Sequence, residues 1–185
     1  MTLLALCIFV FGIVHLNTAI PKWRDHARKT FGKAYGPVYG VLSLLLLVAC
    51  LWAFRNAEVQ PLYEPPAWGR HANFGLSLIG FVFVGIFLFR GSWRNALKYP
   101  MAVGVSMWAL GHLLANGDTR AILLFGGLAL FAILHAVLKS RSGTFVPSEV
   151  RTGHNLMSIL AGVALYGLAA QLHVVIAGVP LVTLQ

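Results

Sequence analysis

The sequence predicts an all-α fold, a polytopic transmembrane helical bundle of about six spans with almost nothing else attached. Three observations carry that expectation. Of 185 residues, 58% are hydrophobic and only 10% charged; the mean hydropathy is +0.79; and the apolar residues fall in long runs separated by short basic or proline-bearing connections. A chain so composed has too little polar surface to coat a water-soluble globule, so residues 1–185 are read as one integral membrane domain.

The first span covers about residues 2–20. No Lys or Arg precedes it and no small-x-small cleavage site follows, so it is expected as a retained span rather than a removed signal. Pro21 and a basic stretch, residues 22–33, close it. The second span, about 37–55, runs through Leu44, Leu45, Leu46 and Leu47. In the connection that follows, residues 56–70, Pro61, Pro65 and Pro66 disfavour helix and Trp68 suits the membrane interface. The third span is 71–89, and residues 90–99 form another basic loop. Pro100 then suits a first helical turn, where its missing N–H is not needed. The fourth span, about 101–115, is short. The turn Asn116-Gly117-Asp118 offers residue types for a positive-φ position and an N-cap, so spans four and five, the latter about 119–138, are expected as an antiparallel hairpin. A polar loop, 139–152, leads to span six, about 153–178. Gly32, Gly36 and Gly40, four residues apart, suit either a close helix-packing face or a flexible entry into a helix.

A net charge of +9 and a pI near 10.2 would ordinarily raise nucleic acid as a partner, so the placement of the charges decides. The connections after spans one, three and five hold Lys22, Arg24, Arg28, Lys29, Lys33, Arg90, Arg94, Lys98, Lys139, Arg141 and Arg151, and the other side only Arg55, Arg70 and Arg120. Lys and Arg concentrate in cytoplasmic loops. Both termini are therefore expected on the non-cytoplasmic side, with the lipid bilayer as partner and no nucleic acid.

Function has to come from polar groups inside the membrane, because an ionisable residue is costly to keep there. His15, His112, His135 and His173 lie within spans one, four, five and six. Each alone suits a histidine bonded to a neighbouring carbonyl or hydroxyl. Together they suit a haem site, since neutral imidazoles facing each other between helices are common iron ligands. Depth along the spans pairs His15 with His135 and His112 with His173. His26, His71 and His154 fall in connections or at span ends and suit interfacial roles. Cys7 and Cys50 lie in apolar runs without CxxC spacing and are expected as buried thiols. Asp25, Glu58, Glu64, Asp118 and Glu149 all fall at loops or turns, and GxGxxG, Walker and HExxH patterns are absent, which disfavours hydrolytic and nucleotide-driven chemistry.

The run Trp108-Ala109-Leu110-Gly111-His112-Leu113-Leu114-Ala115-Asn116-Gly117-Asp118 resembles the signature of the NnrU family of membrane proteins. Gly40-Val41-Leu42-Ser43-Leu44, the loop Pro61-Leu62-Tyr63-Glu64-Pro65-Pro66-Ala67-Trp68, and His173 with Gly178-Val179-Pro180-Leu181 extend the likeness over essentially the whole chain. The resemblance implies a multi-pass protein of the bacterial inner membrane linked to denitrification, specifically to nitrite and nitric oxide reductase systems. The plant zeta-carotene isomerase is similar, and through it the resemblance implies haem b with His15 and His112 as metal ligands, a pairing that differs from the one depth suggests. Where the family often has a basic residue followed by His-Pro, this chain reads Lys98-Tyr99-Pro100. That departure weakens a likeness to isoprenylcysteine-type methyltransferases, which also need an acidic pair absent here. The expectations are thus a haem-binding protein, with His15, His112 and His135 as cofactor residues; a haem-dependent isomerase of a hydrophobic polyene; or a cofactor-free assembly factor for a respiratory enzyme partner.

Overall fold

The computed structural model describes residues 1–179 together with Leu181, and among them the fold is all-helical with one isolated bridge, Pro61 to Asp118. Pro180, part of the C-terminal likeness, lies outside the described residues. Helices α1 (Thr2–Asn17), α2 (Pro21–Phe31) and α3 (Tyr35–Asn56) are followed by α4 (Gly69–Leu88), the short α5 (Ser92–Leu97) and α6 (Pro100–Ala115). Then come α7 (Thr119–Ala121), a π-helical segment (Ile122–Gly126) and α8 (Gly127–Arg141), continuous with one another, and finally α9 (His154–Ala177). Four segments are long and apolar enough to cross a membrane: Pro21–Asn56, Gly69–Leu88, Thr119–Arg141 and His154–Ala177. Helices α1 and α6 are apolar but have 16 residues each, about 24 Å of helix against a hydrocarbon core of about 30 Å.

Helix α4 is the hub, flanked by α6 and α9, while α1 packs between α3 and α8. Glycines set these distances. A Cβ on Gly80 would lie 2.8 Å from the Gly104 carbonyl oxygen, and one on Gly104 would lie 2.7 Å from that of Gly80, so α4 and α6 cross backbone to backbone. Gly85 and Gly162 do the same between α4 and α9, against Ser158 and Val82. Lipid tails are as apolar as leucine, so such close backbone contact supplies attraction that hydrophobicity cannot. On the other side of the bundle, Leu4, Ile8, Cys50, Ala109, Leu124, Phe125 and Leu128 form the buried core. Cys7 packs against this cluster beside Cys50, and both thiols are free.

Several local expectations are corrected. Most of the basic stretch 22–33 is helix, α2 running to Phe31: Pro21 occupies its first turn, and Lys22, Arg28 and Lys29 are exposed while Arg24 is half-buried. The loop 90–99 contains the helical turn α5, closed by Lys98 at φ 57. The trio Gly32, Gly36 and Gly40 is no packing face, since a Cβ on any of them meets nothing within 4 Å. Gly32 instead sits at φ 51 where α2 breaks from α3, a conformation that favours glycine.

In the turn Asn116-Gly117-Asp118 the expected N-cap is present, with Asp118 accepting from the Ala121 N–H at 3.0 Å. The expected positive φ is not. Glycine is required at 117 because the Tyr63 carbonyl presses on it. The Leu62 N–H donates to the Gly117 carbonyl at 2.8 Å and the Thr119 N–H to that of Gln60 at 2.9 Å, while the one hydrogen of the Tyr63 hydroxyl is shared between the carbonyls of Leu113, in α6, and Asn116, just past its end. Loop 57–68 is thereby docked on the α6–α7 turn.

The three basic connections gather at one end of the bundle. Lys139 of α8 lies within electrostatic range of Arg24 and Arg28 of α2. The Asn95 amide donates to the Ser148 carbonyl at 2.8 Å, and the Arg151 N–H donates to the Arg90 carbonyl at 2.9 Å. Loop 57–68, with Arg55 and Arg120 nearby, occupies the opposite end.

Candidate functional site

The histidines divide between these two ends. At the basic end, His15 lies near the close of α1. Its Nδ1 is 2.8 Å from the Phe11 carbonyl one turn back. A carbonyl can only accept, so Nδ1 carries the proton and Nε2 is left with a free lone pair. The ring stacks on Phe11 at 3.9 Å between centroids and tilts against Tyr39 of α3 at 5.6 Å.

Beside it stands Thr18, whose hydroxyl donates its single hydrogen to the His15 carbonyl at 2.9 Å. The same oxygen must therefore accept from His135 Nε2, also 2.9 Å away. His135 of α8 is thus tied down through Nε2, and its free lone pair is on Nδ1. His15 and His135 are neighbours joined through one threonine, in agreement with the depth argument.

At the opposite end, His112 repeats the arrangement on α6. Its Nδ1 donates to the Trp108 carbonyl at 2.9 Å, leaving Nε2 as the lone-pair nitrogen. Phe125 of the π segment stacks on the ring at 4.4 Å and Trp108 leans on it at 4.7 Å, so the imidazole is enclosed by aromatic surface. His173 of α9 is an electrostatic neighbour of His112, with its Nδ1 donating to the Val179 carbonyl at 2.7 Å.

The structure does not bring His15 and His112 together. His15 is level with Tyr39 and His112 with Phe125, which in turn meets Phe54. Tyr39 and Phe54 are separated along α3 by about 22 Å at 1.5 Å of rise per residue. Of the remaining histidines, His154 accepts the Arg90 N–H at 3.1 Å, a structural role that ties α9 to the end of α4, and His26 and His71 are exposed. Among the described residues, no three His, Cys, Asp or Glu side chains converge as metal ligands.

Sequence does not single out Thr18, Tyr39 or Phe125, and Trp108 enters only as the first residue of the family-like run, though a signal exists for some of them. Phe11, Trp108 and Phe131 stand four residues before His15, His112 and His135, and side chains four apart share a helix face. Thr18 stands three residues after His15 and so shares its face as well.

Haem iron is commonly held by imidazole nitrogen. His15 and His112 each fit as a single ligand, because the Nδ1 bond fixes the ring and leaves Nε2 available. Together they do not fit one iron, given their separation. The cleft beside His15, lined by Val14, Asn17, Ala27, Phe31, Tyr35, Val38, Tyr39 and Leu42, has a volume of about 130 Å³, below the usual range for small-molecule sites.

A family model described as NnrU protein matches residues 3–181, nearly the whole chain. The chain belongs to the NnrU family. Searches of curated proteins and of solved structures find no match. In this NnrU chain the matched region runs from the second residue of α1 through the end of α9, and so contains both histidine stations.

Proposed function

We propose that this NnrU chain is a six-span protein of the bacterial inner membrane, termini outside, that binds haem b in the service of nitrogen-oxide metabolism, with His15 as the protein ligand. Family membership and the gathering of basic connections at one end support the location and orientation. The free Nε2 of His15, on a ring held by the Phe11 carbonyl, carries the ligand assignment. Haem would supply a redox-active, Lewis-acidic iron. The chain's own part is to hold that ring still: Phe11 fixes its plane, and Thr18 and His135 brace the carbonyl of the same residue.

The test is a Soret spectrum of the purified chain after haem supplementation. Wild type is expected to show the band, His15→Ala to lose its ligand-dependent features, and His112→Ala to keep them. Absence of any Soret absorbance overturns the haem reading, and with it a haem-dependent isomerase of a polyene. A second reading, a cofactor-free assembly factor for nitrite or nitric oxide reductases, is favoured by the separation of His15 from His112 and by the small volume of the cleft.

A further inference from the structure

The basic end of the bundle holds a cluster that the histidine reading leaves unused. Arg24 and Arg28 of α2 lie within electrostatic range of Lys139 of α8. The Arg24 side chain is only 21% exposed, so it points back toward the bundle rather than into water. Its ion-pair partner, Asp25 at 3.1 Å, is itself 57% exposed and leaves the cluster with a net positive charge. Arg28 reaches further, lying over the Tyr35 ring at 5.6 Å from the centroid, which places it at the rim of the cleft between α1, α2 and α3.

Two polar atoms of that cleft's lining residues, Asn17 Oδ1 and Tyr35 Oη, are buried without a hydrogen-bond partner among the described residues. Buried polar atoms are rarely left so, and an orphaned group calls for an occupant. Tyr35 Oη needs an acceptor and Asn17 Oδ1 needs a donor. Outward from the cleft, Val38 and Leu42 continue into an apolar face of α3 formed with Pro37, Val41 and Leu45. Trp23 and Phe31, both exposed, flank the basic residues on α2, as on helices that lie in a membrane interface.

We infer that this corner binds an anionic phospholipid whose headgroup carries a free hydroxyl, as phosphatidylglycerol does. Arg24, Arg28 and Lys139 hold the phosphate. Tyr35 donates to a headgroup oxygen, a headgroup hydroxyl donates to Asn17, and an acyl chain lies along the apolar face of α3. Basic pockets between spans recognise lipid headgroups by this chemistry. The inference is independent of haem.

The experiment uses the full chain, delipidated in detergent and free of haem, with retained lipid read by native mass spectrometry during titration with phosphatidylglycerol, phosphatidylcholine or inorganic phosphate. Phosphatidylglycerol is expected to be retained over phosphatidylcholine. Arg24→Gln, Arg28→Gln and Lys139→Gln should each weaken retention about fivefold, with Arg24→Lys restoring it and Tyr35→Phe weakening it at unchanged charge. Lys29→Gln and Arg141→Gln, at the same end but outside the cluster, should retain lipid as wild type does. Equal retention of phosphatidylcholine, or equal loss from the two control substitutions, overturns the site in favour of general surface charge. Displacement by millimolar phosphate alone overturns the lipid as its occupant. Circular dichroism on each variant separates loss of lipid from loss of fold.

Discussion

Gly80 and Gly75 both lie on α4, and their replacement by alanine should have opposite consequences. A Cβ on Gly75 meets nothing within 4 Å, so alanine there contributes only its better helix propensity, about 0.8–1 kcal/mol. A Cβ on Gly80 lies 2.8 Å from the Gly104 carbonyl oxygen and 3.2 Å from the Trp108 nitrogen. Both obstacles are backbone atoms of α6, which cannot rotate away, so the helices must part. Forcing a methyl group into a packed contact costs about 1–3 kcal/mol. Gly80→Ala should therefore be about 1–3 kcal/mol less stable than Gly75→Ala, the propensity gain being common to both. Far-UV circular dichroism during unfolding in mixed micelles of rising dodecyl sulfate fraction measures the difference. Adding Gly104→Ala to Gly80→Ala should cost less than the sum of the two single changes, because both open the same crossing. A Gly80→Ala chain as stable as Gly75→Ala would refute the backbone-to-backbone crossing of α4 and α6.

Asp118→Ala removes the cap on the Ala121 N–H and the 3.2 Å contact with Arg120, and should lower stability by about 0.5–2 kcal/mol, read in the same unfolding assay. Thr18→Val keeps the shape of the side chain but leaves His135 Nε2 without its acceptor, at a cost of about 1–3 kcal/mol; an unchanged midpoint would mean that water or another group takes over. Burial, and then the nearby Asp118 carboxylate, raises the Tyr63 phenol above its ordinary value of 10.0. Its neutral form is therefore the one folding favours, so its contribution is complete below pH 10.0 and is lost as pH rises through the folded value. Tyr63→Phe should abolish that share of the alkaline loss, detectable as a flatter stability profile above the same pH.

The apolar runs, the prolines and the Lys/Arg asymmetry made the helices legible, because length and charge placement are written locally in a membrane chain. Residues 22–33 read only as a basic connection because their hydropathy is low, although a surface helix needs only one inward edge, here Pro21, Arg24 and Ala27. Depth arithmetic placed His15 near His135 and His112 near His173, since rise per residue is fixed. Which nitrogen His135 leaves free was not legible, because it depends on Thr18 meeting His135 from 117 positions away in sequence, a contact set by how α1 and α8 are rotated about their own axes.

That rotation has a local source in the π segment Ile122–Gly126. A π turn holds about one residue more than an α turn, and each residue of an α-helix advances the side chains by about 100°. Wound as regular α-helix throughout, the same sequence would carry everything after this stretch round by about a quarter revolution. His135 and Lys139 would then point away from Thr18 and Arg24 together while the upstream turn kept its place. The π turn thus acts as a phase setting: it absorbs one residue and lets a single continuous span address one partner at its beginning and a different partner at its end.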